Sequence, residues 1–511
     1  MWVSQAKFSF RHPRTPDRRF TPKKQFPQRS RSTPMASTRH EELCAEYSEV
    51  PAPLSSGAMN SAATPDPRRY LVLGCFCFHS FIQCFDFMDF STDADLSHEA
   101  LGESAPLLNG LLYYGGFAAT LPAMFISLYL LLRGHDWLAG FAMSVLIVAG
   151  AWLRLAAVHF TSYTLALVST IALGAAGGVI FTSFTFVPER WFPQSERPFA
   201  TALAVQSNYA GWALGCLNPT MLGKKHVSDL KMFLLWLAIV TSFALPFHFL
   251  ANTRGPRGGE ASHGSGAGSL SFVATLRLLA GRPQYLIHSM CYAVLGAVGY
   301  AVTGVVDSCF SAALPMTYDN STGKMVEDGF DNQQTMGLNV IFVVTGVISG
   351  LVVGRVVPDS PMPQAYAIRS LFLLAASALL GVQLLILNAA EFEKKTLYQL
   401  LLLLMCLAGA GTLGFIGVGL RVAVGYSHPA QEIYSGSIIE FLLLAIASSL
   451  GLLTYVVPPS ATFWFFALPA CAATVVIFTC ARFQHGEAPL LEITPEETSA
   501  TYMHSTSTKR T

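Results

Sequence analysis

The chain has 511 residues, 52% of them hydrophobic and only 12% charged, with a net charge of +1 and a mean hydropathy of +0.45. A soluble domain carries about 25% charged residues, so an ordinary water-soluble globule is excluded. The net charge of +1 by itself says nothing about partners.

Residues 1–67 are rich in Pro, Ser and Arg and are expected to form a disordered cytoplasmic region. They hold no apolar core of signal-peptide type. Their basic, acid-poor start imitates a mitochondrial transit peptide, but Pro13, Pro16, Pro22 and Pro27 would break the amphipathic helix such a peptide needs.

Apolar windows of about 20 residues mark bilayer spans, and twelve follow. The first six run near 70–90, 107–132, 137–158, 164–187, 199–222 and 231–251. The second six lie near 285–310, 336–357, 364–389, 397–424, 433–457 and 461–482. Between the two sets, 253–282 reads as a cytoplasmic linker, with a Gly/Ser-rich stretch from Gly258 to Ser269. The expected plan is an all-α polytopic protein of two six-helix bundles, 68–252 and 283–484, with a short cytoplasmic tail at 485–511. In such a protein the site falls near the midplane, between the halves.

The first span carries Asp86 and Asp89 among Phe85, Phe87 and Phe90. Residues at i and i+3 are neighbours on a helix, so the two carboxylates are expected to share one face. An acid there costs ~2.5–3.5 kcal/mol on insertion scales, and intramembrane acids usually face a cavity or a partner.

Lys and Arg set the orientation. The first 69 residues hold twelve of them, and the linker region adds Arg254, Arg257, Arg277 and Arg282. The segment after the first span carries Asp93, Asp95, Glu99 and Glu103 with no Lys or Arg, and the loop from Pro315 to Thr335 has only Lys324. Both termini and the linker are therefore assigned to the cytoplasm, with Lys224, Lys225 and Lys231 dissenting. Asn320-Ser321-Thr322 is a glycosylation sequon on an outer loop.

Small residues cluster at Gly174–Gly178 and Gly411–Gly414, where helices can approach closely. Arg133-Gly134-His135-Asp136 forms a tight charged turn, and Gly350–Arg355 reads as its echo in the second half, which favours a duplicated six-helix unit. The ten cysteines form no CxxC pattern and read as packing residues. No P-loop, nucleophile elbow or HExxH motif appears, which argues against an enzyme. In the tail, Glu487-Ala488-Pro489-Leu490-Leu491 resembles an acidic dileucine sorting signal.

Several stretches resemble the feline leukaemia virus subgroup C receptor family, major facilitator proteins linked to haem and to choline and ethanolamine transport. They are Val187-Pro188-Glu189-Arg190-Trp191-Phe192-Pro193 with Ala200-Thr201-Ala202, the helix Ser207–Gly215, the Phe85–Ser91 stretch, Tyr292 with Tyr300-Ala301 and Asp307, and Ser435-Gly436. The resemblance spans roughly residues 68–480. It implies a major facilitator fold and an aromatic cage for a quaternary ammonium, where a cation over a ring face gains ~0.5–2 kcal/mol.

Carried over by position, Phe87 stands for the family's tryptophan and Tyr300 keeps its tyrosine. Tyr209 replaces a glutamine, Asp86 and Asp89 replace two glutamines, and Asp307 replaces an asparagine. The acids could attract a cationic substrate or bind and release a proton. They could also pair with Arg154 or Arg421, with Glu440 as a further acid in the eleventh span. The other family-level substrate, haem or porphyrin, needs a wide space and an axial ligand. His79 and His288 lie within spans and read first as hydrogen-bonded core residues.

The expected protein is a secondary transporter of a small organic cation or a haem-like ring, working by alternating access in a lipid bilayer. Phe87, Asn208, Tyr209 and Tyr300 would touch substrate, while Asp86, Asp89, Asp307 and Glu440 would set charge selectivity or proton coupling. No metal, cofactor or nucleic-acid partner is expected. The expected state is a monomer, and the expected location is the plasma membrane ahead of endosomal, lysosomal or mitochondrial membranes. A proton-coupled carrier of another metabolite, or a non-transporting receptor or scaffold, is the alternative.

Overall fold

The computed structural model describes residues 66–90, 94–102, 106–217, 226–251, 272–306, 309–310, 316–319, 324–327, 329–428, 430–454 and 456–483. Outside the described residues lie the N-terminal region to 65, Lys224 and Lys225, the Gly/Ser-rich linker, Asp307, the sequon asparagine Asn320 and the tail from 484.

The first half is built from α1 (Arg69–Phe87), α2 (Ala94–Leu101), α3 (Pro106–Leu132), α4 (Asp136–His159), α5 (Tyr163–Trp191), α6 (Arg197–Cys216), α7 (Val227–Thr241) and α8 (Ala244–Ala251). A short α9 (Phe272–Ala280) lies inside the expected linker, and the second half begins with α10 (Pro283–Thr303). It continues with α11 (Asn332–Val356), α12 (Pro361–Leu387), α13 (Lys394–Thr412), α14 (Ile416–Ser427), α15 (Glu432–Thr454), α16 (Pro459–Thr462) and α17 (Trp464–Thr479). The loop between α10 and α11 adds a two-stranded antiparallel hairpin absent from the sequence expectation, β1 (Met316–Asp319) against β2 (Lys324–Glu327).

Eleven of the described helical stretches are long and apolar enough to cross a membrane. The expected fifth span, α6, falls short because Gln206, Ser207 and Asn208 lie in its middle. It is nevertheless walled in by α1, α11 and α14, so its polar groups are kept from lipid. Large apolar side chains such as Phe125 (53% exposed), Trp236 (62%) and Val356 (70%) face outward. Such an apolar surface is unfavourable in water and suits hydrocarbon. The chain is a multi-pass membrane protein.

Helix contacts repeat from one half to the other. In the first half α3 and α4 pack on α5, α1 on α6, and α4 on α7; in the second, α11 and α12 pack on α13, α10 on α15, and α12 on α17. Across the halves α3 meets α15 and α11 meets α6, two contacts related by the same exchange. Glycine permits the closest approaches. A Cβ on Gly174 would run into the carbonyl of Gly116, and one on Gly409 into that of Phe342, at equivalent crossings in the two halves.

The charged turn between α3 and α4 is confirmed, with Gly134 at φ +74°. Its counterpart lies elsewhere than expected: Gly350–Arg355 belongs to α11, and the equivalent turn is 357–360. There Asp359 pairs with Arg421 at 3.3 Å, as Asp136 pairs with Arg190 at 3.4 Å in the first half.

Candidate functional site

Helical spacing places one set of side chains on inward stripes: Gln83 and Phe87 on α1, Tyr113, Phe117 and Thr120 on α3, and Asn208 and Trp212 on α6. With Cys84, Met88, Phe181 of α5 and Tyr300 of α10 they line a small cavity between the halves. Its walls are ring faces and edges. Phe87 stacks on Phe117 (centroids 5.2 Å apart) and lies 5.7 Å from Tyr113, while Tyr300 stands 4.8 Å from Trp212, 5.5 Å from Phe117 and 5.7 Å from Tyr209.

The amides are held in place. Gln83 Nε2 donates to the Leu173 carbonyl at 3.0 Å, and Asn208 Nδ2 donates to the Ser80 carbonyl at 3.0 Å. Asn208 Oδ1 and Trp212 Nε1 are buried with no hydrogen-bond partner. A buried polar atom without a partner is costly, so this acceptor and this donor are available to a molecule in the cavity.

Of the expected substrate-contact residues, Phe87, Asn208 and Tyr300 line the cavity, and Tyr209 touches Tyr300 and Trp212 from behind. The acids sit apart. α1 ends at Phe87, so Asp89 lies in the turn beyond it, with its N–H 3.5 Å from the Asp86 carbonyl. The two acids remain neighbours, within electrostatic reach of each other. Asp86 is fully buried, and Thr241 Oγ1 of α7 donates to its two oxygens at 3.2 and 3.0 Å. Arg154 of α4 is within electrostatic reach of both acids and lies 4.6 Å over the Phe90 ring. Neither acid lines the cavity.

Arg421, the other candidate partner, is occupied at the helix ends by Glu432 and Asp359. Glu440, 1% exposed on α15, accepts from Tyr292 Oη at 2.6 Å. It lies within electrostatic reach of Tyr209 and Tyr300.

His79 and His288 are both committed elsewhere. His79 Nδ1 is 2.6 Å from the Cys75 carbonyl, and its Nε2 is 2.9 Å from both Ser144 Oγ and the Ala244 carbonyl. His288 Nε2 is 2.8 Å from the Gly419 carbonyl. His79 instead borders a separate, largely apolar cavity within the first half.

Sequence reasoning named Tyr113, Phe117, Phe181 and Gln83 nowhere as site residues, and quoted Trp212 only as part of a motif. The i, i+4 spacing of Gln83 with Phe87, of Tyr113 with Phe117 and of Asn208 with Trp212 was the available signal.

The halves are bridged at two places. At one, Tyr113 Oη donates to the Tyr300 carbonyl (3.3 Å) and Tyr114 Oη to the Ala301 carbonyl (3.2 Å). At the other, away from the cavity lining, Arg197 of α6 pairs with Glu432 of α15 at 2.9 Å, and Arg421 of α14 holds the same carboxylate at 2.8 Å.

No model of a protein family matches the chain, and no curated protein does. Among solved structures it is similar to the E. coli fucose:proton symporter FucP, at 17% identity and a TM-score of 0.56, covering 82% of this chain and 99% of that one. It is similar also to FucP, a major facilitator superfamily transporter, in the outward conformation, at 15% identity and a TM-score of 0.55, covering 80% and 99%. The chain has the fold of the major facilitator superfamily transporters.

Proposed function

We propose that the protein moves a small organic solute across its membrane by alternating access, holding it in the aromatic cavity between the halves. The solute class that fits is an organic cation bearing a hydroxyl or amine, such as choline or ethanolamine, as the resemblance to the feline leukaemia virus subgroup C receptor family implies. The observation carrying this reading is the cavity wall. Phe87, Phe117, Trp212 and Tyr300 offer ring surfaces to an ammonium, and the unpartnered Asn208 Oδ1 can accept from a hydroxyl. Each cation–ring contact is worth ~0.5–2 kcal/mol.

The moving bodies would be 68–252 and 283–484, rocking about the α3–α15 and α6–α11 contacts. Haem is the other family-level solute; neither His79 nor His288 reaches the cavity, and the ligand types lining it are Cys84, Tyr113 and Tyr300. A second reading, proton-coupled transport, is supported by the buried acids Asp86, Asp89 and Glu440 and by the proton symporter among the structural neighbours.

The test is uptake of radiolabelled choline by the full chain in liposomes. Saturable uptake that falls when Phe87 becomes Leu supports the proposal. Binding without uptake would favour a receptor. Asp89→Asn distinguishes the roles of the acids: a changed rate or pH dependence gives them a transport role, and unchanged uptake makes them structural.

A further inference from the structure

The carboxylates of Asp66, Asp136, Glu196, Asp359 and Glu432 each lie between 2.8 and 3.4 Å from an arginine. Asp86 is reached by Thr241 and, electrostatically, by Arg154. Glu440 differs. Among the described residues no cation stands within ion-pair distance of it, and its Oε2 is buried without a hydrogen-bond partner while Oε1 takes the Tyr292 hydroxyl. A buried carboxylate with no counter-charge is strongly disfavoured in a membrane interior, whereas the neutral acid is tolerated there.

Among the described residues, the surroundings of Glu440 offer tyrosines and no cation; the one base nearby, His288 of α10, lies behind Tyr292 (ring centroids 6.4 Å apart), with its Nε2 2.8 Å from the Gly419 carbonyl. α10 contributes Tyr292 and Tyr300, and α6 contributes Tyr209. On the other helices packed against α15, Tyr113 and Tyr114 of α3 donate to α10 carbonyls. Glu189 of α5 lies near Glu432 rather than Glu440. Arg421 of α14 is taken by Glu432 and Asp359, and Tyr426 of α14 donates to the Arg482 carbonyl.

Glu440, Tyr292 and Tyr300 belong to the second half and Tyr209 to the first, so parting of the halves uncovers the carboxyl beside the aromatic cavity. We infer that Glu440 is a proton-binding site: Oε2 holds a proton while the halves are closed over the cavity and yields it to water when they part, tying one proton to each solute movement. On opening, the Oε2–H bond breaks, the electron pair stays on the carboxylate and the proton passes to water. The Tyr292 O–H continues to donate to Oε1. The proton site itself stands on this geometry, and its coupling to solute rests on the transport reading above.

Infrared difference spectra of the full chain in liposomes at neutral pH, without solute, test the proton site directly. A protonated-carboxyl band that disappears in Glu440→Gln is the expected result. Its absence in the unchanged protein, or its persistence in Glu440→Gln, overturns the inference. Should Glu440→Gln not reach the membrane, Tyr292→Phe decides instead: the band must shift in frequency, and an unmoved band contradicts the assignment.

Coupling is then read with labelled choline and an internal pH dye. One proton per solute gives about tenfold accumulation per unit of pH gradient, lost in Glu440→Gln while counterflow exchange persists. Accumulation driven by a sodium gradient, or retained in Glu440→Gln, overturns it. Absence of any choline movement would refute the solute assignment and leave the infrared result to decide the proton site.

Discussion

Arg197 Nη1 stands 2.9 Å from Glu432 Oε1, an ion pair that ties α6 of the first half to α15 of the second. Arg421 holds the other oxygen of the same carboxylate at 2.8 Å. Arg197→Ala removes the half of this clamp that crosses between bundles. A hydrogen bond to a charged group is worth ~1.5–3 kcal/mol, so that end of the molecule should open roughly tenfold more often. With a cysteine placed at the fully buried Ser435, modification by a water-soluble maleimide should accelerate by about that factor; an unchanged rate would show that the pair does not hold the end closed.

Arg154 is buried beside Asp86 and Asp89. Removing one partner from a buried charged group costs ~3–5 kcal/mol, so Arg154→Leu should lower the melting temperature in detergent sharply. Adding Asp86→Asn and Asp89→Asn should recover most of the loss. A single variant that melts like the unchanged protein would mean the arginine does not support the acids.

For the aromatic cavity, replacing Trp212 by Leu should weaken choline binding by roughly 5- to 30-fold, the equivalent of ~1–2 kcal/mol of cation–ring attraction. Phe87→Leu should act in the same direction with a smaller effect, because phenylalanine has the weaker ring quadrupole. Equilibrium binding to purified protein measures both. Equal losses for a neutral isostere of choline would point to packing rather than charge.

Gly174→Leu should prevent the α3–α5 crossing, since even a Cβ there meets the Gly116 carbonyl. Overpacking costs ~1–3 kcal/mol and more where backbone is struck. The variant is expected to aggregate on size-exclusion chromatography. Gly74→Ala, where a Cβ meets nothing within 4 Å, should elute as the unchanged protein does.

Hydropathy made eleven of the expected spans legible, because a bilayer demands apolar length and sealed backbone hydrogen bonds, while α6 falls short of that apolar length. Inward direction was harder to read. Phe87 and Asp86 are adjacent in sequence but point to different neighbours, Phe87 to the cavity and Asp86 to Thr241 and Arg154. A helix turns about 100° per residue, and an apolar span conceals which face is inward when every face is hydrophobic. Tyr113 and Phe117 went unnamed for that reason. The Asp136–Arg190 and Asp359–Arg421 pairs join turns to distant helix ends, and no local spacing announces them.

The proposed transport carries a small organic cation through the cavity between Phe87, Trp212 and Tyr300. Competition uptake in liposomes, with labelled choline against unlabelled choline, ethanolamine and a porphyrin, measures it most directly. Saturable choline uptake displaced by ethanolamine, unaffected by the porphyrin and reduced in Trp212→Leu is the expected outcome. Uptake of the porphyrin in place of choline, or choline uptake indifferent to Trp212→Leu, would contradict it.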